Sequence, residues 1–463
     1  MSFTVFRFFR FGALLAPALL MMTSTLRADV FLDWNQIACE VFKQDVEFQN
    51  PGLSSRSMAM MNLAMYDAVN GITPRYQPFY GHQAPPALAS REAAAIQAAY
   101  HVLSSNYTSQ QSYLDAALAT SLYSFPTDAA TTNGIDYGER VAKDILAMRA
   151  ADGFENTVHY SPSGEVGHWE PDPLNTDQQA WGPEWGQIDL FGLDEVNTLY
   201  PAQAPELTSQ EYTDAFNEVK ELGAKNSSTR TQEQTDIAYF WAYDRNGMGT
   251  PMRLYNDILR EVAENENNDL LDNSRLFAMT STAVADAGIV AWNSKFEFDF
   301  WRPISGIRRA DEDGNDDTEA DPNWEPLGSP GGITPDGSSI DNFTPPFPTF
   351  MSGHAAFGSA LFRSLENFYG TDEIGFEIRS EEMPGQLRSF ESFSEAATEN
   401  GQSRVYLGIH WSFDDTIARQ VGSDIADEIA REHFQPVPEP SSLLLALIST
   451  LPLLHRARRS CRA

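Results

Sequence analysis

Apolar side chains in this chain recur at the three- and four-residue steps of an α-helix, and seldom at the two-residue step of a strand bounded by turns. No other feature constrains the fold as strongly. Met58, Met61, Met65 and Val69 fall on one helical face, and Gly71 stands where a C-terminal cap belongs. The segments 91–107 and 112–125 repeat the pattern. The segment 131–153 carries Ile135, Val141, Ile145 and Met148 on one stripe and ends at Gly153. A second set of helices is expected over 209–224, 231–243, 251–264, 273–297, 353–370, 391–408 and 414–433. Between the two sets, 154–208 is rich in Pro, Trp and Gly and reads as a long ordered loop. The fold class expected is all-α, built of packed helical bundles, two by this reading, with an N-terminal helical region and its long loop over 29–208 and a helical bundle over 209–435.

With 463 residues, 42% of them apolar, the chain can bury one large core or two smaller ones. Its 31 basic against 65 acidic residues leave a net charge of -34. That balance repels phosphate backbones, so no nucleic-acid partner is expected. The only cysteines are Cys39 and Cys461, so packing and not a disulfide framework must stabilise the chain.

Both ends read as addresses. Residues 1–28 place Arg7 and Arg10 before the apolar run FGALLAPALLMM and end on Ala28, the order of a cleaved signal peptide. Residues 436–463 run from a Pro-Glu-Pro turn through an apolar stretch to Arg456, Arg458, Arg459 and Arg462. That stretch is short of the roughly 20 residues a bilayer span requires, and no interior run reaches that length either.

Chemistry-bearing residues gather in the second helical set. Lys295 and Arg302 are spaced by two helical turns, so on one continuous helix both cations would share a face. Arg404, His410 and Asp414 follow one another such that, on a continuing helix, the carboxylate could bond the imidazole and fix its tautomer. Ser352, Gly353 and His354 precede a run of small residues that could open a helix. Exposed N–H groups at such a start, with a serine hydroxyl beside them, suit a tetrahedral oxyanion. Three cations are costly to assemble unless an anion neutralises them. The acidic insertion 311–322 puts its glycine too early for a calcium loop and reads as a solvated segment.

These three segments resemble the vanadium-dependent haloperoxidase and type 2 phosphatidic acid phosphatase superfamily, whose pattern is Lys-x6-Arg-Pro, Pro-Ser-Gly-His and Ser-Arg-x5-His-x3-Asp. Here they are Lys295 to Pro303, Ser352 to His354 and Ser403 to Asp414, with Met351 replacing the proline before Ser352. Trp292, Phe347 and the segment around 59–72 are similar to the soluble, bacterial chloroperoxidase-like branch. The active site is then expected in the C-terminal bundle.

The resemblance implies vanadate held by Lys295, Arg302, Ser352, Gly353, His354 and Arg404, with His410 as the one metal ligand. His354 is implied as general acid–base toward hydrogen peroxide. Lys295 is implied to polarise bound peroxide for attack by halide, and Asp414 to support His410. Asp244 is the expected carboxylate partner of His354, with Asp236 as competitor, and Trp292 and Phe347 are expected pocket walls. Hypohalous acid would pass to a small organic acceptor. Two alternatives stay open: a secreted acid phosphatase that binds phosphate and forms a phospho-histidine on His410, and a non-catalytic envelope or matrix protein. The C-terminal tail resembles a PEP-CTERM sorting signal, which implies export and sorting machinery as partners and the cell envelope or extracellular matrix of a Gram-negative bacterium as destination. Paired bundles are compatible with a homodimer. His82, His101, His159, His168 and His433 have no partner at a telling spacing and are expected to be structural or exposed.

Overall fold

The computed structural model describes residues 29–44, 51–196, 203–244, 248, 250–330, 332–333, 339–340 and 344–437. The leader read at 1–28, and all but the first two residues of the tail read at 436–463, lie outside them. The described chain is mostly helical, in agreement with the all-α expectation. None of its helices is long and apolar enough to cross a membrane.

Five helices come first: α1 (Val30–Gln44), α2 (Pro51–Ile72), α3 (Arg91–Asn106), α4 (Gln111–Leu122) and α5 (Ala129–Met148). After the long loop follow α6 (Gln210–Leu222), α7 (Gln232–Phe240), α8 (Pro251–Asn265), α9 (Leu270–Phe298), α10 (Pro303–Arg308), α11 (Gly353–Tyr369), α12 (Phe393–Tyr406) and α13 (Ser412–Glu432). Polar side chains start most of them. Ser90, Asp128, Ser209, Thr231, Asp269, Ser352 and Ser392 each accept an N–H of the first turn.

Two helices have no wet side. Every residue from Gly52 to Asn70 in α2, and from Leu276 to Trp292 in α9, is buried. A helix buried all round belongs at the centre of a larger assembly, and α2 and α9 pack directly on each other. On the far side of α2 lie α3 and α5; on the far side of α9 lie α11 and α13. One large apolar core therefore runs through both helical sets, beside a small cluster of Ala238, Ala242, Leu407 and Ile409.

Some expectations require correction. α1 lies outside the periodic segments named above, and it is buried through Phe31, Trp34, Ala38 and Phe42. Gly71 is no cap: α2 passes through it, and a Cβ there would meet the Tyr137 hydroxyl at 2.2 Å. α5 stops at Met148, before Gly153. Two antiparallel hairpins interrupt the helices, β1 (Gly332–Ile333) with β2 (Ser339–Ile340), and β3 (Phe376–Arg379) with β4 (Leu387–Phe390). In β3, buried and exposed residues alternate, a four-residue signal too short to stand out against long helices.

Candidate active site

Lys295 lies in the last turn of α9, but Arg302 is not on that helix. Asp299 takes the left-handed conformation (φ 51°) and ends α9. The chain then runs extended beside 167–169, where Trp169 donates to the Asp299 carbonyl at 2.8 Å and Trp301 to the Gly167 carbonyl at 2.9 Å. Arg302 caps α10 with its backbone. The two cations therefore converge across a break between two helices and not through a shared helical face.

A second break separates Arg404 from His410. α12 ends at Tyr406, and Gly408 (φ 75°) packs against Gly223 so closely that a Cβ would sit 2.4 Å from the Gly223 carbonyl oxygen. His410 thus precedes α13, while Asp414 lies in its first turn. The expected bond still forms. His410 Nδ1 is 2.8 Å from Asp414 Oδ2. The same carboxylate oxygen accepts the Thr349 hydroxyl at 2.5 Å and the Trp411 N–H at 3.1 Å, and Thr349 Oγ1 also lies 3.0 Å from His410 Nδ1. With Nδ1 so engaged, Nε2 is the free base; it faces Arg302 Nη1 at 3.1 Å.

Ser352, Gly353 and His354 stand at the start of α11, as expected, and Ser352 Oγ accepts the Ala355 N–H at 3.4 Å. The N–H groups of Gly353 and His354 precede the first intrahelical bonds. Met351, at the position of the family's proline, follows a cis peptide bond from Phe350. Its N–H donates to Ser294 Oγ at 3.1 Å, a bond no proline can make.

All three cations are buried. Lys295 Nζ donates to the carbonyls of Pro348, Thr349 and Met351 at 3.2, 2.9 and 2.5 Å. Its hydrogens are thus committed to the loop before α11, and what it offers the site is its charge. Arg302 donates from Nε to Phe347 and from Nη1 to Ile409, and its Nη2 has no partner among the described residues. Arg404 donates from Nη2 to Asp244 at 2.6 Å, and its Nε and Nη1 have no partner among the described residues.

The Asp244 expectation is also corrected. Asp244 binds Arg404 and accepts the Ser329 hydroxyl at 2.7 Å, while the His354 ring reaches the Ala242 carbonyl through Nε2 at 3.0 Å. A carbonyl can only accept, so Nε2 carries the hydrogen and Nδ1 is left basic. Asp244 acts on His354 only through its charge. The competitor Asp236 is engaged by Gln232 on an exposed helix face.

Burial and mutual repulsion push this group of residues toward neutrality. Burial and then Arg404 pull His354 down to about 3. Burial lowers Arg302 to about 9, and burial followed by Arg302 lowers Lys295 well below its ordinary value. His410 is depressed by burial and then by the three cations. Burial raises Asp414 to about 6. Each depression is one that a bound anion would reverse.

Phe347 and Trp292 form one wall, with ring centroids 5.0 Å apart. Phe347 lies 5.1 Å from Lys295 Nζ and 4.9 Å from the Arg302 guanidinium carbon. Thr349, Ser294, Ser329 and Asn400 were not among the expected site residues. Asn400 donates to the His354 carbonyl at 2.8 Å, and Tyr255 donates to the same oxygen at 3.1 Å. Their signal is purely spatial: Asn400 is one turn before Arg404 on α12, and Thr349 is three residues before Ser352. The histidines set aside earlier are not all without partners. His82 lies between Asp67 and Asp144, and His168 Nδ1 is 3.0 Å from Asp299.

Residues 275–437 match the VCPO second helical-bundle domain. The chain is 30% identical to vanadium chloroperoxidase of Curvularia inaequalis over 505 aligned positions, covering 84% of this chain and 80% of that protein. Among solved structures it is similar to the first bacterial vanadium-dependent iodoperoxidase, with a TM-score of 0.74 and 23% identity over 89% of this chain and 97% of that one. It is also similar to the holo-type bacterial vanadium-dependent chloroperoxidase, with a TM-score of 0.65 and 16% identity over 87% and 96% of the two chains.

Proposed function

Because this chain belongs to the vanadium haloperoxidase family, we propose that it oxidises halide with hydrogen peroxide to hypohalous acid, using vanadate as its cofactor. One observation carries the reading: three buried guanidinium nitrogens, Arg302 Nη2 and Arg404 Nε and Nη1, have no partner among the described residues beside an imidazole whose Nδ1 is already engaged. Unpaired buried donors are costly, and a tetrahedral oxyanion satisfies them. The residues fit vanadate.

Arg302, Arg404, Ser352 and the Gly353 N–H would hold its oxygens, Lys295 would add charge from beneath the loop, and His410 Nε2 would ligate the metal. Bound vanadate supplies the Lewis-acidic centre that activates hydrogen peroxide toward halide. The chain's own groups do the rest. Asp414 and Thr349 keep His410 in the tautomer that presents Nε2. His354, oriented by Ala242 and anchored through its carbonyl by Asn400 and Tyr255, presents Nδ1 to take and return a proton. An anion beside it raises its affinity for that proton from the depressed value toward neutrality, where acid–base catalysis is efficient. Phe347 and Trp292 keep water from the apolar side.

The test is halogenation of an activated dione with peroxide and each halide, with and without orthovanadate, beside phosphate-ester hydrolysis by the vanadate-free protein. Turnover requiring both vanadate and halide is expected. Hydrolysis without halogenation would favour the phosphatase alternative, and neither activity would favour the envelope protein. His410→Ala should lose vanadate binding and halogenation together; halogenation that survives would remove His410 from the metal.

We infer, too, that the protein is exported and sorted to the cell envelope, from the order of charge, apolar run and cleavage residues at 1–28 and 436–463. Terminal sequencing of protein recovered from the envelope should begin near Asp29 and end near Pro438 to Pro440.

A further inference from the structure

The loop between α5 and α6 reaches the apolar side of the site. Trp181 stacks on Phe347, with ring centroids 6.0 Å apart and planes inclined by 30°. Its N–H donates to the Pro346 carbonyl at 2.9 Å. The next residue, Gly182 (φ 75°), approaches Trp292 so closely that a Cβ would lie 2.9 Å from the indole Nε1. Both wall aromatics are therefore backed by the same two loop residues.

The loop itself is fastened at several points. Gln178 donates to the Thr344 carbonyl at 2.9 Å. Asn293, next to Trp292 on α9, donates to the Gly186 carbonyl at 2.9 Å. Asp286, fully buried on α9, accepts the N–H groups of Phe191, Gly192 and Leu193 at 2.6, 2.9 and 3.0 Å. Trp181 thus holds a set position against Phe347, and Phe347 in turn faces Lys295 and Arg302.

We propose that Trp181 is a positioning residue that decides halide discrimination. By stacking on Phe347 it fixes the apolar wall against the two cations, and so the size and dryness of the space a halide enters. A small, strongly hydrated halide depends most on that fit, because it must exchange the most water for fixed protein contacts. A large, weakly hydrated one depends on it least. This inference rests on the haloperoxidase reading above.

The experiment measures KM and kcat for every halide that the full chain turns over, with vanadate affinity determined by calorimetry on the same preparations. Trp181→Ala should raise KM for the smallest accepted halide on the order of tenfold, raise it less for iodide, and leave vanadate affinity within about twofold. Trp181→Phe, which keeps a ring on Phe347, should restore most of the loss. If Trp181→Ala does not fold, Trp181→Leu carries the same comparison. Unchanged halide KM in a variant that still binds vanadate would overturn the proposal, and so would a parallel loss of vanadate affinity, which would make Trp181 a prop of the anion cradle. Absence of vanadate-dependent turnover in the unsubstituted chain is a different failure: it would overturn the haloperoxidase reading, and this inference with it.

Discussion

Asp414 shows how much one side chain decides. It is buried, and a single oxygen meets His410, Thr349 and the Trp411 N–H, which defines the imidazole tautomer on which a metal bond would depend. Asp414→Asn should weaken vanadate binding about 10- to 100-fold, the usual cost of losing the group behind a ligand histidine, as read by calorimetric titration. His82 offers a second residue-scale expectation. Burial lowers its proton affinity, but Asp67 and Asp144 raise it by more, so its folded-state pKa lies above the ordinary value. The charged ring therefore stabilises the fold fully below about pH 6.5, and that contribution is lost as pH rises through the folded-state value. Asp67 also accepts the N–H groups of Phe79 and Tyr80, so the segment after α2 hangs on this pair. Thermal unfolding of the unsubstituted chain and of His82→Gln should differ most in mild acid and converge in mild alkali; a gap that ignores pH would remove the charge from the account.

At the scale of elements, the periodicity of apolar residues was enough to place most of the helices, because core-facing stripes repeat over many turns. It could not place their ends. Lys295 and Arg302, or Arg404 and Asp414, look like partners on one helix, yet α9 stops at Asp299 and α12 at Tyr406. Both breaks depend on left-handed residues, Asp299 and Gly408, whose surroundings belong to distant segments: 167–169 in one case and Gly223 in the other. Residue types and spacing therefore named the cations that the fold gathers around His410, and tertiary contacts decided which carboxylate serves which cation. Asp244 illustrates the limit, since nothing local distinguishes a partner for His354 from a partner for Arg404. Helix packing also makes a prediction of its own. A Cβ at Gly138 would lie 2.1 Å from the Ala94 carbonyl, so Gly138→Ala should force α5 from α3 and cost about 1–3 kcal/mol, measured by denaturant unfolding.

For the whole molecule, the decisive fact is that α2 and α9 are buried on every side along most of their length. The segments 29–208 and 209–435 look separable by sequence, but the core joins them through these two helices. A fragment covering 209–437 would expose the side of α9 that α2 covers. It should fail to give a cooperative thermal transition or a soluble monomer, whereas 29–437 should melt in one step by calorimetry. An independently folded, vanadate-binding fragment would show that the second set is a domain in its own right.

If vanadate is the anion that the unpaired nitrogens of Arg302 and Arg404 take up, the supply of a trace element is tied to the lifetime of the protein. An oxyanion that binds the native state and not the unfolded chain shifts the folding equilibrium by mass action, by about 2.7 kcal/mol at a hundred times its dissociation constant. Orthovanadate should accordingly raise the melting temperature in proportion to the logarithm of its concentration. Vanadium starvation should then shorten the protein's half-life, as followed by its abundance after synthesis is stopped.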